Sequence, residues 1–435
     1  MAVILIACSA AAKNEEVWLT PASAPVTPRT GSALTVVHDA AEFDGCMAAL
    51  PENSRIHLTA GVFHTVKGVS LKSGCWLAGE GMDRTIILLD DIGSRPIING
   101  GFSVIVSAPP RIHGAGVSDL TVDCNFQGQS LHKAKVGIGA VALNGTDLRL
   151  SSVKAINFGS TGREDFVLAL CHDDWATSDF AIATNLIIDG CVVTQPASNS
   201  TFPGGFGCIV IYGIPKPLSG GGHEGESTPI TRVGTGWVTR AEVKNCRVCG
   251  IMQSGGALGV NYVAQCDIVN NTITNCPNAF GFYSENPCFE DLSIVSNTFD
   301  GVKLALAFSP QHFRNVRLKR GLSVRDNMIR NCSYGGIGLG RTLARGPWDG
   351  YTNVTIQNNR IYMASSTPGR AIYVGATEHL TMAGNVIDNR AAEGGFQAEL
   401  DGAPNARIVD NHNVDGSSLS ILYNQTAVKP SQRHK

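Results

Sequence analysis

The stretch Leu322-Ser-Val-Arg-Asp-Asn-Met-Ile329 contains the pattern that decides the fold of this 435-residue chain. Two apolar residues stand two positions apart, an asparagine follows three positions later, and another apolar residue comes two positions after it. The pattern returns along most of the chain, at intervals of about 26 residues in the C-terminal half. With the asparagine position as the marker, the copies fall at Asn125, Val153, Cys191, Cys246, Asn271, Asn297, Asn327, Asn359, Asn385 and Asn411. Such a period is typical of a solenoid.

The two apolar positions of each copy point to the same side of a strand, because side chains alternate between the two faces. Leu322 and Val324 hold these positions in the copy quoted above. One strand of this kind cannot bury its apolar face alone, but copies stacked about 4.8 Å apart form a continuous core. The asparagine suits a tight turn, where it tolerates the left-handed conformation, and its amide can bond the next copy. Since Cys191 and Cys246 hold the marker in two copies, we expect this amide ladder to weaken toward mid-chain.

A second short strand follows about half a repeat later, and we expect its copies to stack in register as well. These copies are 208–212, 257–261, 279–283, 336–340 and 370–374. Two or three strands per repeat is the geometry of a parallel β-helix. Over residues 120–423 the sequence resembles the right-handed parallel β-helix, or pectin-lyase-like, superfamily. The resemblance implies an all-β solenoid of about ten or more coils, and a choice of functions, since the superfamily includes lyases, hydrolases, epimerases, tailspikes and adhesins.

The composition limits the classes of protein to which the chain can belong. With 43% hydrophobic and 16% charged residues it can bury a large core, and its 49 glycines suit many tight turns. A net charge of −2 gives no signature of nucleic-acid or membrane binding. Thirteen cysteines are present, and several fall on interior positions of the repeat, so we interpret them as small buried apolar residues rather than disulfides.

The N-terminal region precedes the repeats. Residues 1–12 are apolar, and the stretch around Cys8 resembles a bacterial lipoprotein cleavage box without a basic segment before it. Two interpretations stay open, a truncated export signal and a plain N-terminus; the first favours a secreted or cell-surface protein. Residues 1–32, rich in Pro, Ser and Thr from residue 15, are predicted to be an N-terminal segment and linker, 33–425 a single β-helix domain, and 426–435 a disordered tail.

A short helix is predicted at the start of the domain. Phe43, Cys46, Met47 and Leu50 have helical spacing, and Asp39 stands where it can cap the first turn. A solenoid exposes its core at its ends, so we expect this helix to act as a cap. Strands are predicted to follow at 55–63, 69–77 and 85–89.

Three longer insertions follow the second strand of their copies, at 213–239, 309–321 and 341–353. Insertions that leave the same corner of successive coils protrude from one side of the rod. Loops gathered on one side of a rigid scaffold commonly build a binding site. We therefore expect a lateral groove beside them.

The floor of this groove is predicted from the second strand, whose alternation sends four small residues outward. These are Val210, Gly259, Gly281 and Gly338. The strip is edged by three larger side chains, Tyr212, Asn261 and Tyr283. A bare strip of this kind would accept a linear sugar chain, with aromatic faces against the rings and polar groups reaching hydroxyls. The alternative is that the glycines only ease twisting and the tyrosines are ordinary surface residues.

The densest group of ionisable residues lies between Arg163 and Asp179 and supplies the candidate catalytic residues. These are Asp165, His172, Asp173 and Asp174. Carboxyl groups crowded together raise one another's pKa, which allows a general acid and a general base to coexist at one pH. The alternative is a solvated turn or a calcium-binding loop, so calcium is the candidate metal and no cofactor is expected to be required.

A narrower resemblance concerns the same region. Glu164-Asp165 precedes one strand, and Gly205-Phe206-Gly207 precedes the strand of the next copy. This resembles polygalacturonase-like glycosidases, in which an Asp-Asp pair and a Gly-His-Gly motif take these places. Phe206 stands where that family has its histidine, so hydrolysis by that family's scheme lacks one of its residues here.

β-Elimination on a uronic acid is the alternative chemistry. It needs a cation beside the carboxylate and a base for the C5 proton. The arginines at 314, 317, 320, 341 and 345 cluster in two adjacent copies and would favour an anionic polymer. The candidate substrate contacts are Tyr212, His223, Asn261, Tyr283, Glu285, Arg341 and Arg345.

The sequence thus predicts a carbohydrate-active β-helix, either a glycoside hydrolase or a polysaccharide lyase. The rival class is a non-catalytic glycan-binding adhesin or a tailspike-type rod. The expected partner is a polysaccharide, with no nucleic acid and no membrane span, and the protein is expected to be a monomer or a trimer.

Overall fold

The fold is described by a computed structural model. It describes residues 16–24, 34–93, 101–109, 111–130, 137–160, 165–170, 182–194, 206–213, 232–252, 255–284, 287–308, 318–340, 350–364, 369–389 and 395–424. Nearly all of its strands belong to one parallel ladder that stacks each coil on the next. Three stacks of strands can be followed along the rod, and we call them the first, second and third faces.

The bounds of the strands follow the three faces. The first face contains Glu16–Pro21, Leu34–Val37, Arg55–Leu58, Trp76–Ala78, Gly116–Asp123, Leu148–Ile156, Ala183–Asp189, Val238–Lys244, Val263–Val269, Phe289–Val295, Lys319–Arg325, Tyr351–Gln357, Thr377–Ala383 and Arg407–Val409. The second face contains Gly61–Thr65, Thr85–Leu89, Val192–Thr194, Arg247–Cys249, Thr272–Ser284, Thr298–Phe308, Met328–Arg330, Arg360–Tyr362, Val386–Asp388 and His412–Asn413, together with the C-terminal parts of Gly116–Asp123 and Leu148–Ile156.

The third face contains Val69–Leu71, Gly101–Ser107, Gly137–Leu143, Asp165–Leu170, Phe206–Tyr212, Gly255–Asn261, Gly335–Leu339, Ile372–Val374, Ala398–Asp401 and Ile421–Asn424. The long strands Thr272–Ser284 and Thr298–Phe308 bend from the second face into the third. Three short strands complete the set: Ile112–His113, which pairs with Gly145–Thr146, and Gly159–Ser160, which is antiparallel to Gly137–Leu143. A 3-10 turn spans Phe126–Gly128.

The core is built from columns of stacked apolar residues that point into the rod. One column on the third face is paired residue by residue along the chain. It consists of Val69, Ile105, Val141, Leu168, Ile209, Leu258, Phe282, Leu306, Ile337, Ile372, Ala398 and Ile421. The predicted all-β, right-handed parallel β-helix is confirmed.

The predicted asparagine ladder is also present between the first and second faces. Nδ2 of Asn271 donates to Oδ1 of Asn297 at 2.9 Å, and the same bond links each later marker to the next as far as Asn411. Each amide also donates to a backbone carbonyl of the preceding coil. The amide ladder stops at Cys246, whose backbone N–H still donates to Asn271 Oδ1 at 2.9 Å.

Two details of the ladder differ from the sequence interpretation. The left-handed conformation belongs to the residue before each ladder asparagine, such as Asn270 at φ 55° or Asp326 at φ 58°. The ladder asparagine itself is in the turn that follows and points inward. The first marker is also misplaced, since Leu120 pairs with Val153, whereas Asn125 lies five residues later and precedes the 3-10 turn.

The N-terminal end is covered by the predicted helix, which spans Ala40–Ala49. Asp39 caps it, because its side chain accepts a hydrogen bond from the N–H of Glu42 at 2.9 Å. Phe43 is buried against Phe63, with ring centroids 5.4 Å apart. The linker predicted at 15–32 needs correction, since Glu16–Pro21 is a strand paired with Arg55–Leu58. An apolar residue, Leu19, anchors this strand in the core.

None of the cysteines in the described ranges forms a disulfide, and all except Cys46 and Cys249 are buried. Burial raises the pKa of Cys276 to about 11 and that of Cys332 to about 12. In both residues the main cause is the removal of water from around the ionised form. These thiols therefore serve as small apolar residues of the core, as the sequence predicts.

The structure also bears on the expectation that nothing spans a membrane. In the part of the chain that it describes, no helix is long and apolar enough to cross a membrane.

Candidate functional site

The third face carries the outward side chains on which a lateral groove depends. Its strands present two outward columns, separated by two inward positions. The first column runs through Phe166, Gly207, Gly256, Phe280, Leu304 and Gly335. The second runs through Ala169, Val210, Gly259, Tyr283, Ala307, Gly338, Tyr373 and Glu399. Gly, Ala and Val hold about half of these positions, so the face is flat between its aromatic, leucine and glutamate side chains.

The register of this face corrects the predicted floor at one coil. Tyr283 pairs with Gly259, so it lies in the column of the small residues and not beside Tyr212 and Asn261. Gly281 faces the core, because a Cβ there would lie 2.4 Å from the buried ring of Phe299. The shift accompanies an irregularity in the pairing between Cys276 and Phe280, after which Phe282 pairs with Leu258 and Tyr283 with Gly259.

An aromatic platform therefore occupies the middle of the face. The rings of Phe280 and Tyr283 are stacked, with centroids 4.8 Å apart and an angle of 16° between their planes. Both side chains are partly exposed, and the ammonium of Lys303 lies 5.6 Å from the centroid of the Phe280 ring. A flat, partly exposed aromatic surface with a cation at its edge can receive the apolar face of a sugar ring.

A shallow depression lies beyond the platform, along the same two columns. It is lined by Leu304, Ala307, Phe308, Tyr334, Gly335, Ile337, Gly338, Arg370 and Tyr373. It is an open recess in which water-sized groups can reach about 30 Å³, the space of about two waters or one small substituent. Tyr283 and Tyr373 are three rungs apart in one column, or about 14 Å. The depression is therefore one position in a longer open groove and not a pocket for a whole ligand.

Arg370 and Tyr373 line the depression, and each is paired with an acid of the next coil. Nε of Arg370 lies 3.4 Å from Oε2 of Glu399, and the two side chains are only 12% and 19% exposed. Oε1 of Glu399 also accepts a hydrogen bond from Nδ2 of Asn424 at 2.8 Å. The hydroxyl of Tyr373 donates to Oδ2 of Asp401 at 3.4 Å. Glu399 and Asp401 are thus each held by a neighbour, and Arg370 is paired with Glu399 through charge and not through a hydrogen bond from its buried Nε.

The structure places only some of the residues that the sequence selects. His172, Asp173, Asp174, His223, Glu285, Arg341 and Arg345 lie outside the described residues, as do most residues of the three insertions. The strands that flank the insertions end at one corner, since Phe308 pairs with Leu339 before two of them begin. Asp165 begins its strand and pairs with Phe206 of the next coil, which is the neighbourhood that the glycosidase resemblance implies.

Two predicted contacts in the described ranges have different environments. Tyr212 is partly exposed, and its ring centroid lies 5.8 Å from that of Phe166. Asn261 pairs in register with Tyr212 but is only 5% exposed, and its Oδ1 accepts a hydrogen bond from the hydroxyl of Ser284 at 2.9 Å. Asn261 stays a proposed substrate contact, although its side chain is nearly buried and links two coils.

Sequence reasoning misses Arg370, Tyr373, Glu399 and Asp401. They lie in two coils whose third-face strands are short. The predicted strand 370–374 is out of register with the previous coil by one residue, because Ile372 and not Ala371 pairs with Ile337. The signal that could have identified them is the alternation of the acidic residues Glu399 and Asp401 along the strand that pairs with the strand of Tyr373. Among the described residues, no group of three or more His, Cys, Asp or Glu side chains could hold a metal ion. The candidate calcium loop at Asp173 and Asp174 lies outside them.

Comparisons with known proteins agree with this architecture. No protein-family model and no curated protein sequence matches the chain. Among solved structures, the A-module of a mannuronan C-5 epimerase from Azotobacter vinelandii is similar, with 15% identity, a TM-score of 0.56, and 89% of this chain and 92% of that chain covered. An exopolygalacturonase from Thermotoga maritima has 11% identity, a TM-score of 0.53 and 88% of each chain covered. A surface adhesin of Streptococcus pneumoniae has 14% identity, a TM-score of 0.51 and 87% of each chain covered. At these identities the similarity shows the right-handed β-helix fold alone.

Proposed function

We propose that this protein binds a polysaccharide along its third face and cleaves it by hydrolysis or β-elimination. The observation that carries the proposal is the stacked pair Phe280 and Tyr283, set in a column of small residues that leads to the Arg370 depression. An aromatic surface followed by a shallow polar recess matches the alternation of apolar and hydroxylated surface on a sugar chain. By their names, the epimerase and the exopolygalacturonase of the same fold act on polysaccharides, which supports this choice of substrate class.

The catalytic centre is proposed near Asp165, at the other end of the groove. The coil of Asp165 is six rungs from that of Tyr373, or about 29 Å along the axis. A polymer can span that length, whereas a monosaccharide cannot. Asp165, His172, Asp173 and Asp174 remain the proposed acid and base residues, with His223, Glu285, Arg341 and Arg345 as proposed contacts. Calcium at Asp173 and Asp174 remains a proposal as well.

A screen of acidic and neutral polysaccharides tests the proposal. A lyase gives products with ultraviolet absorbance as well as new reducing ends, and a hydrolase gives reducing ends alone. Asp165→Asn and Asp173→Asn should lower turnover by about a hundredfold or more, since each removes an acid or base from the reaction. Asp267→Asn is the matched control, because Asp267 is an exposed aspartate on the first face. Turnover that survives both substitutions would reject these catalytic residues.

Glycan binding without cleavage is the second candidate. It is favoured by Phe206, an apolar residue that pairs with Asp165 where the glycosidase resemblance calls for histidine. The similar streptococcal protein is named as a surface adhesin, which supports this alternative and a secreted or cell-surface location. Retention of the protein on an immobilised glycan with no product of either kind would select this function.

A further inference from the structure

We propose that the Arg370 depression receives the hydroxymethyl group of a neutral hexose unit and discriminates against the carboxylate of a uronate. This inference rests on the proposed function and names the sugar class at one position of the groove. Three features carry it: the size of the depression, its balance of charge, and the apolar character of its floor.

Size limits what can enter. Water-sized groups can reach about 30 Å³ of the recess, which would hold about two waters and so matches a single substituent of a ring that lies across the face. The floor is set by Gly335 and Gly338. A Cβ on Gly335 would lie 2.8 Å from Cδ1 of Leu304, whereas one on Gly338 would lie 3.6 Å from Cδ2 of the same leucine. The free space is therefore next to Gly338, where a methyl group could be accommodated.

Charge decides between substituents of equal size. A hydroxymethyl group and a carboxylate at C6 occupy similar volumes, but only the carboxylate must give up a charged hydration shell to enter. Arg370 is the cation that lines the depression, and it is already paired with Glu399. Asp401, bonded to Tyr373, adds a second carboxylate nearby. A uronate would bring a third negative charge to a site whose cation is neutralised, so the neutral sugar is preferred.

The apolar floor favours the same choice. The substituent meets carbon atoms of Leu304, Ala307 and Phe308, and a methylene group can leave water for such a surface without a free-energy cost. The single hydroxyl of a hydroxymethyl group needs only one or two hydrogen-bond partners, and the phenol groups of Tyr334 and Tyr373 stand at the rim.

Binding of matched hexasaccharides to the full chain tests the inference. One pair is a galactose oligomer and a galacturonate oligomer, and the other is a mannose oligomer and a mannuronate oligomer. A xylose oligomer, which lacks the C6 substituent, is the control. Isothermal titration calorimetry should show tighter binding of the neutral member of at least one pair, with little dependence on salt up to about 0.5 M NaCl.

Glu399→Gln keeps the shape of the side chain but leaves Arg370 without its counter-charge. It should raise the uronate-to-hexose affinity ratio by about tenfold, and the gain should vanish at high salt.

Gly338→Ala fills the depression and should weaken binding of the hexose oligomer by about tenfold, while binding of the xylose oligomer changes little. Thr355→Val, on the first face of the next coil, is the matched control. Tyr334→Ala is a second variant, since Tyr334 is 44% exposed and its loss cannot open the core. Tighter binding of uronates by the unaltered protein, or an unchanged affinity ratio in Glu399→Gln, would overturn the inference while the proposed function stands. If the unaltered protein binds no polysaccharide, both fail together.

Discussion

The central rung of the asparagine ladder allows a prediction whose size can be worked out bond by bond. Nδ2 of Asn327 donates to the carbonyl of Ile294 and to Oδ1 of Asn359, both at 2.9 Å. Its Oδ1 accepts from the backbone N–H of Asn297 at 2.9 Å and from Nδ2 of the same residue at 3.1 Å. Asn327→Ala removes all four bonds inside a rod where Asn327 is 2% exposed.

The largest single contribution to the cost comes from one group. After the substitution the Asn297 amide still has the carbonyls of Ile268 and Val295, but the Asn297 backbone N–H loses its acceptor. A buried unsatisfied donor costs about 1–3 kcal/mol, and each of the other three bonds contributes about 1 kcal/mol net. We therefore expect the free energy of unfolding to fall by about 4–6 kcal/mol.

Urea denaturation followed by circular dichroism measures this loss. Asn411→Ala is the matched control, because Asn411 accepts the same two bonds from Asn385 but is partly exposed in the last rung. Water can replace its partners, so the expected loss is about 1 kcal/mol. Equal losses in the two variants, or a loss below about 1 kcal/mol for Asn327→Ala, would refute the argument that burial of the ladder stabilises the rod.

Three further predictions concern the groove and the core. Tyr283→Ala should weaken polysaccharide binding by about tenfold in a titration, because it removes half of the stacked platform; unchanged affinity would remove the platform from the binding surface. Gly281→Ala should lower the free energy of unfolding by about 1–3 kcal/mol, because its Cβ meets the ring of Phe299 at 2.4 Å; Gly338→Ala should cost far less, and the reverse order would mean that the register is wrong. Burial raises the pKa of Cys276 to about 11 from an ordinary 9.0. The contribution of this thiol to stability should therefore be complete below pH 9 and fall between pH 9 and 11, because the unfolded chain loses the proton first. In urea denaturation at a series of pH values, a Cys276→Ala variant should lose part of this pH dependence.

The fold could be predicted because the rod imposes the same requirement on every coil. Inward positions must be apolar to cover the coils above and below, so the spacing of Leu322, Val324 and Ile329 recurs and can be recognised. The ladder asparagines are predictable for the same reason, since each satisfies the one before it. Asn125 is misassigned because the apolar residues before it have the same spacing as those before a ladder asparagine, although Asn125 lies in an isolated turn.

The groove is less predictable because its outward positions carry no such requirement. Alternation predicts that Gly338 points outward, but nothing in the stacking of coils predicts that Ala307 and Tyr373 are its neighbours in the column. The irregular pairing near Cys276 then shifts Tyr283 into a column that alternation alone assigns to Gly281. A single shift of this kind exchanges an inward residue for an outward one, and the sequence contains no separate signal for it.

The same freedom explains how the Arg370 site can exist on a regular scaffold. Arg370 and Glu399 are far apart in sequence, yet successive rungs bring their strands together through the pairing of Tyr373 with Glu399. A parallel β-helix thus joins side chains from adjacent coils at a fixed spacing of about 4.8 Å, without any change to the core. Substituting one outward residue can therefore alter the charge or depth of one groove position while its neighbours keep their geometry. For that reason the Glu399→Gln variant should change which sugar is preferred at the depression without changing stacking at Tyr283, about 14 Å away.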